Sequence, residues 1–531
     1  MIFIETKNKL ERIRQMKKEF TDTGLCVPNR HYMVDTTSQL KETIELIERG
    51  KYFIINRPRQ FGKTTTIHLL EHTPLLKDYL ILRMSFEGIG DTYFDNEPAF
   101  VDMFVTKIKD ELSYLEIKEP ENILIYNKES TFADLKKIIR NFINVMDKKV
   151  LLFIDEVDKS SNNQLFISFL GLLRDKYLLM NEDRDSSFHS VVLAGLHDVK
   201  NLKLKLRPDE EETYNSPWNI AVSYDVDMTF SAKQIETMLV DYVDATSANM
   251  NIAKIAEILY YYTSGYPYFV SKLCKIIAEK IKPSIWTERE IIDAVKLLIS
   301  EKHNANFDKI IKILEENQEL YNITQKILIG RKIFTYNSRA PLTELGELHG
   351  IFRASSDNKI VVFNKIYDEM IMEYMIGKND LQDDTDIVQS QFLKDNGKLD
   401  LEKLLTKFKD AIEEKYSSSE HLKSKEFLED DLRMKFFMYL KPVINGVGFS
   451  CKEVQTSEER RMDVVIFFQD EKFIVELKIW KGEKLHKQGI EQIKDYMHRE
   501  HCDKGYMLIM NKNKNKEFKI TDEDGIFTAW V

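Results

Sequence analysis

Residues Tyr52 to Thr66 read YFIINRPRQFGKTTT, an apolar strand that breaks into a loop and closes on Gly62-Lys63-Thr64. This is the back half of a phosphate-binding loop. In such loops successive backbone N–H groups curl round a nucleotide's α- and β-phosphates, a lysine reaches the β/γ-phosphates, and a hydroxyl takes one position on Mg²⁺. Lys63 and Thr64 hold the last two places. The helix starting near Lys63 points its positive end at the same phosphates. Arg57 stands where G-x-x-x-x-G-K-[ST] has its first glycine, and arginine tolerates left-handed backbone poorly, so the loop is expected to begin differently. A ligand-free strand–turn–helix is the rival reading. The apolar strand before the motif and the helical spacing of Thr66, Leu69 and Leu70 after it favour a nucleotide site formed by Arg57, Pro58, Arg59, Gln60, Phe61, Gly62, Lys63, Thr64 and Thr65.

At 531 residues the chain is too long for one core, and three or four domains are expected. A net charge of −10 argues against wholesale coating of nucleic acid while leaving room for a local basic surface. From His421 onward about 20 basic residues face about 20 acidic ones, so the acidity lies upstream. The four cysteines are scattered without disulfide or metal spacing, which fits a reducing compartment. No apolar run approaches a bilayer span and the first twenty residues lack a signal-peptide core, so a cytoplasmic protein without membrane contact is expected.

Residues 1–30 read as a basic, amphipathic leader helix ending at Pro28. Ser38–Glu48 is helical, Leu80–Phe86 a strand, and Phe100–Tyr114 and Phe132–Met146 are helices. Val150–Ile154 is an unbroken apolar run, as in a parallel strand buried on both faces, and it ends in Asp155-Glu156. An apolar strand closing on two carboxylates is the Walker B arrangement: Asp155 holds Mg²⁺ through water and Glu156 polarises the attacking water. The plainer alternative is an acidic helix cap. Ser190–Ala194 is a further strand, after which His197 or Asp198 could sense the γ-phosphate or simply cap a turn. Residues 231–300 are helical, broken at Thr263–Pro267. Residues 301–378 carry helices and a hairpin turning at Ser355–Lys359, the pattern of a winged helix. Asp380–Asp386 is an acidic break. The expected division is 1–30 leader, 31–230 nucleotide-binding domain, 231–300 helical lid, 301–378 winged helix, 379–420 helical linker and 421–531 a C-terminal domain.

The last domain follows a different logic. Phe427–Leu440 is helical, and Met462–Phe468 and Lys472–Trp480 form two strands joined at Gln469–Glu471. Alternation sends Glu476 and Lys478 to one face and Val475 and Leu477 to the other. Asp463 starts the paired strand, where a hairpin brings it beside Glu476. Two carboxylates with a lysine alongside can hold a divalent metal and manage a phosphate. Downstream, Gln492 and Tyr496 lie at i and i+4 on one helix face, and Glu429 lies on the preceding helix. A charge-laced hairpin edge is the bland alternative. Lys504, Lys512, Lys514, Lys516 and Lys519 read equally as a phosphate-backbone fringe or a solvated loop.

RPRQFGKTT, with VLLFIDEVD, VVLAGLHDV, NSPWNIA and TSGYP, resembles the AAA-like ATPases whose phosphate loop is R-P-R-R-F-G-K-[ST]. The likeness covers roughly residues 30 to 300. It makes Arg57 a family feature, with Gln60 departing from the usual second arginine. RMDVVI, FIVELKIW and GIEQIKDYM resemble the PD-(D/E)XK nuclease domain often fused behind such ATPases, with the Q-x-x-x-Y of the RecB type. That resemblance implies Asp463 and Glu476 as metal ligands, Lys478 as catalytic lysine, Gln492 and Tyr496 as an accessory pair, and Glu429 as a helix acid. Met462 replaces the namesake proline.

The sequence thus predicts an α/β P-loop NTPase parallel sheet with helical lid and winged helix, followed by a separate α/β PD-(D/E)XK nuclease-like domain. ATP and Mg²⁺ are the expected cofactors and DNA the expected partner, with cleavage gated by ATP and defence against foreign DNA as one setting. A homo-oligomer is left open. The alternatives are a switch or scaffold ATPase whose nuclease fold only binds nucleic acid or protein, and a loader resembling origin-recognition ATPases.

Overall fold

The computed structural model describes residues 18–118, 120, 122–157, 164–195, 218–328, 332–380, 389–416, 429–444, 448–451, 464–469, 471–480, 482–499, 502–511 and 517–531. The chain forms two units, Met1–Leu298 with Glu344–Ile351, and Ile299–Thr343 with Phe352–Val531.

The first unit is built on four parallel strands, β1 (Phe53–Asn56), β2 (Tyr79–Ser85), β3 (Lys149–Asp155) and β4 (Ser190–Gly195), in the order β1-β4-β3-β2. An isolated parallel bridge from Phe53 to Val222 extends the sheet beyond β1. Residues 150–155 of β3 and all of β4 are buried, which is why their sequences are continuously apolar. Helices α1 (Thr37–Glu48), α2 (Lys63–Glu71), α3 (Glu97–Tyr114), α4 (Phe132–Val145) and α5 (Gln164–Asn181) accompany the strands. Phe100, Phe104, Phe132, Phe166 and Phe169 from α3, α4 and α5 share one core with Leu152 and Ile154 of β3.

Residues 18–30, expected as part of a leader helix, are not helical. They bend at Thr23–Gly24 and turn at Pro28–Arg30, so that Glu19 forms a parallel bridge to His31. The segment is tied to the lid helices α6 (Ala232–Thr246), α7 (Ile252–Thr263) and α8 (Pro267–Lys275) by side chains: Lys18 to Asp241 at 2.7 Å, and Asp22 to Lys272 and Lys275 at 2.9 and 2.8 Å. Burial alone would raise the Asp22 carboxyl; the two lysines outweigh it and hold the group below its usual range. A short parallel pair joins β5 (Asn249–Met250), between α6 and α7, to β6 (Ile285–Trp286), after α8, and α9 (Glu288–Ile299) follows.

The break between α7 and α8 is made by Ser264 and Gly265, both left-handed at φ 48° and 71°. A Cβ on Gly265 would lie 2.0 Å from the Phe230 carbonyl oxygen. Gly265→Ala therefore combines backbone strain with a backbone clash, and thermal or denaturant unfolding should show a loss of more than about 2 kcal/mol.

The second unit contains α10 (Ala305–Glu316), α11 (Gln318–Leu328), the hairpin β7 (Phe352–Ala354) and β8 (Ile360–Val362), and α13 (Lys365–Asp380); most of α12 (Pro341–Leu348) belongs to the first. Beyond them a six-stranded sheet runs β13-β14-β12-β11-β10-β9. Its strands are β9 (Gly448–Cys451), β10 (Val464–Phe468), β11 (Glu471–Ile479), β12 (Gly505–Met510), β13 (Lys519–Glu523) and β14 (Ile526–Trp530). β11, β12 and β14 are mutually parallel, and β10 returns antiparallel to β11. One face packs Val475, Leu477, Leu508 and Met510 against α14 (Leu401–Tyr416) and α15 (Glu429–Ile444). The stretch expected as a helical linker thus supplies α14, with Leu401, Leu404, Leu405 and Phe408, to this core. The other face carries α16 (Glu483–Arg499), whose Ile493 packs with Met507 and Ile509.

Glu369 on α13 is 4% exposed, and burial pushes its carboxyl up to about 8. The folded chain therefore holds a proton there that the unfolded chain releases near pH 4.5, so this group costs stability increasingly from about pH 4.5 to 8. Glu369→Gln should be more stable than the parent at pH 8, with the gap closing near pH 5, as read by melting curves across that range. Among the described residues no helix is long and apolar enough to cross a membrane.

Candidate functional site

The loop after β1 turns through two left-handed residues, Gln60 at φ 57° and Gly62 at φ 83°, and α2 begins at Lys63. A Cβ added at Gly62 would meet nothing within 4 Å, so the space on that side of the loop is open. The Lys63 ammonium donates to the carbonyls of Arg57 and Pro58 at 2.8 and 3.1 Å, folded over the loop it belongs to. Asp155, 4% exposed, ends β3 and accepts the Glu156 amide at 2.9 Å. Glu156 is itself left-handed at φ 56°, a conformation non-glycine residues hold chiefly where surroundings enforce it.

Arg57 does not face the loop's open side. Its guanidinium donates to the carbonyls of Tyr224 and Val226, both at 2.9 Å, and lies 5.5 Å from the Tyr224 ring centroid. The arginine in the glycine position thus ties the start of the loop to the chain leaving the sheet edge. On the lid side, Tyr266 donates its hydroxyl to the Arg59 carbonyl at 2.6 Å and meets Phe61 edge-on at 4.5 Å. Arg59 and Gln60 are exposed, whereas Pro58 and Phe61 are buried. Thr64 is half-buried in the first turn of α2, and Thr65 accepts the Cys26 amide at 3.3 Å.

A cleft opens beside the loop, lined by Gly24, Cys26, Met33, Gly62, Thr65, Leu69 and Tyr268 among others. The 18–40 segment and the lid therefore provide a largely apolar wall beside the loop. Sequence reading missed this wall, because nothing in TDTGLCVPN announces a partner some 250 residues away. His68, Glu71 and His72 also cluster at the end of α2. Arg83 already neutralises Glu71 at 3.2 Å and His72 Nδ1 lies 2.8 Å from the His68 carbonyl, so that group serves as a helix terminus.

In the second unit Glu476 and Lys478 share one face of β11, as alternation requires, and form an ion pair at 2.7 Å. The glutamate side chain is fully buried and the lysine 34% exposed. In register Glu476 pairs with Met507 and Lys478 with Ile509, which places both on the face carrying α16. On α16 the Gln492 amide donates to the Tyr496 hydroxyl at 2.6 Å. Val464 pairs with Val475, next to Glu476 in sequence; Asp463 lies outside the described residues, as do His197, Asp198, Lys512, Lys514 and Lys516. Glu429 begins α15, and its side chain is not described. Lys504 is held by Glu402 at 2.9 Å and Asp522 at 2.8 Å, so it is no simple phosphate fringe.

The parallel sheet, the lysine-bearing loop and the acidic end of β3 define a P-loop ATPase. The sequence model of a family described as AAA-like domain matches residues 24–372, about two thirds of the chain, and the protein belongs to that family. A second family, described as a domain of unknown function (DUF8371), matches residues 399–514. Comparison with curated proteins gives no match. Among solved structures, the chain is similar to the Walker-type ATPase PABY2304 of Pyrococcus abyssi, at 10% identity and a TM-score of 0.45, over 64% of this chain and 96% of that one. It is similar to the ORC2 protein of Aeropyrum pernix, at 12% identity and a TM-score of 0.37, over 64% and 93%. The RuvB Holliday junction branch migration motor of Thermotoga maritima gives 13% identity and a TM-score of 0.33, over 62% and 92%.

Proposed function

We propose that this ATPase carries a second catalytic centre, a Mg²⁺-dependent nuclease in its C-terminal unit that hydrolyses DNA phosphodiester bonds. The observation that supports it is the Glu476–Lys478 pair: a fully buried carboxylate 2.7 Å from a lysine, on the sheet face covered by the helix that bears Gln492 and Tyr496. A buried carboxylate on a face otherwise occupied by Met507 and Ile509 needs cationic company, and this donor chemistry fits a divalent ion.

In this reading Asp463 and Glu476, with Glu429 from the preceding helix, hold Mg²⁺, which when bound supplies Lewis-acid polarisation of the phosphate and an acidified water. Lys478 neutralises charge building on the phosphoryl oxygens. Gln492, hydrogen-bonded to the buried Tyr496 hydroxyl, is the accessory residue of α16 in this reading. At the other centre the open cradle beside Gly62 and the amides beginning α2 suit ATP phosphates. With nucleotide bound, Lys63 would reach the β/γ-phosphates, Thr64 and Asp155 would hold the accompanying Mg²⁺, and Glu156 would orient the attacking water.

The test is incubation of the intact chain with linear, circular and single-stranded DNA plus Mg²⁺, with ATP, a non-hydrolysable analogue or neither. Mg²⁺-dependent cleavage in any arm supports the nuclease, and a difference between nucleotide arms supports gating by ATP. Intact DNA in every arm favours the alternative of a switch or scaffold ATPase.

A further inference from the structure

The sheet face that carries Glu476 and Lys478 continues beyond them into a group of aromatic rings. Trp480 follows Lys478 by two residues, and its amide donates to the Met510 carbonyl at 2.8 Å, so the strand's alternation continues through it. Trp530 pairs in register with Ile509, which pairs with Lys478, so it too lies on this face. His486, in the first turn of α16, completes the group. The ring centroids are 5.1 Å apart for Trp480–Trp530, 5.5 Å for Trp480–His486 and 5.2 Å for His486–Trp530.

Three features distinguish this group from ordinary core. Both tryptophans pack against the apolar cluster of Ile493, Met507, Ile509 and Ile526 yet stay only partly buried. The rings stand at the carboxyl ends of the three parallel strands β11, β12 and β14, the edge at which open α/β sheets take ligands. Cations lie on both sides of the rings: Lys478 lies one alternation away, about 6.6 Å along the strand and on the order of one nucleotide's length, and Lys519 Nζ sits 5.5 Å from the Trp530 ring centroid, while Glu483 and Glu523 lie on the His486 side. Burial holds the His486 imidazole below its ordinary range, so near neutral pH it acts as an uncharged ring.

We infer that Trp480, Trp530 and His486 form a stacking platform for an unpaired nucleobase of the strand whose phosphate lies at Glu476 and Lys478. The inference rests on the nuclease reading for the strand's path, but the platform's binding is measurable without cleavage. Stacking engages the π-face that every base has, so the platform reads strandedness rather than sequence. A base in a closed duplex has both faces covered and does not fit.

The test uses the intact chain in EDTA, titrated with oligothymidylate, oligouridylate and a blunt-ended duplex, following tryptophan emission. Of the four tryptophans, Trp218 and Trp286 are buried at 0% and 4% exposure, so quenching by a ligand reports on Trp480 and Trp530. Saturable quenching by single strands with little by duplex is expected; the two oligonucleotides distinguish DNA from RNA as the source of the base. Trp480→Leu and Trp530→Leu each keep apolar bulk against the core and should weaken single-strand binding roughly tenfold while leaving ATP hydrolysis unchanged. Trp480→Phe, which keeps a stacking face, should restore most of it. Equal quenching by duplex, or undiminished binding by both Leu variants, overturns the platform. Quenching without cleavage in Mg²⁺ leaves the platform standing and removes the nuclease reading; cleavage without quenching does the reverse.

Discussion

Lys63→Ala should lower ATP hydrolysis by about 100-fold or more, the scale seen when one preorganised charge or donor is removed from a transition state. The fold gives the reason. Lys63 sits where α2 begins, after the left-handed residues Gln60 and Gly62, and its ammonium rests on the Arg57 and Pro58 carbonyls at 2.8 and 3.1 Å. Lys63→Arg should rescue little, because a planar fork does not replace a compact point charge inside a tight loop. Phosphate release under saturating ATP is the readout. Hydrolysis within about threefold of the parent would remove the loop from the chemistry. Glu156→Gln should separate binding from turnover, keeping nucleotide affinity while losing hydrolysis.

The second large effect concerns Glu476 and Lys478. Glu476→Gln preserves shape in a fully buried position and removes only the charge, so DNA cleavage should fall about 100-fold or more with the melting temperature little changed. Lys478→Ala should lose cleavage to a similar extent and stability as well. It leaves a buried carboxylate without the ammonium at 2.7 Å, at a cost of up to about 3 kcal/mol, the exposed part of the lysine keeping the figure below that of a wholly buried pair. Neither change touches the first unit's sheet, so ATP hydrolysis should be unaffected. A cleavage activity that survives both substitutions belongs to another site or another protein.

Much of this was legible in the sequence. The strands β3 and β4 announced themselves as apolar runs because both their faces are buried, and the phosphate loop by Gly62-Lys63-Thr64, with Gly62 at φ 83°. The β10–β11 hairpin followed from alternation, and the shared face of Glu476 and Lys478 with it. What escaped depends on distant backbone. Arg57 looked like a loop residue, yet its partners are carbonyls 167 and 169 residues away, which no side-chain pattern reveals. The 18–30 segment looked helical from its upstream charges, but it bends at Gly24 and turns at Pro28, with Asp22 held by Lys272 and Lys275. Trp480 and Trp530 became neighbours only through the strand order β14-β12-β11, and strand order is set by the whole sheet rather than by any one segment.

The central claim is that two independent catalytic centres occupy one chain. The most direct measurement takes parent, Lys63→Ala and Glu476→Gln preparations purified side by side and assays each for ATP hydrolysis and for Mg²⁺-dependent DNA cleavage in the presence of ATP. The account predicts that Lys63→Ala loses hydrolysis, that Glu476→Gln loses cleavage, and that Glu476→Gln still hydrolyses ATP at the parent rate. Cleavage by Glu476→Gln equal to that of the parent, or none by the parent itself, would contradict it.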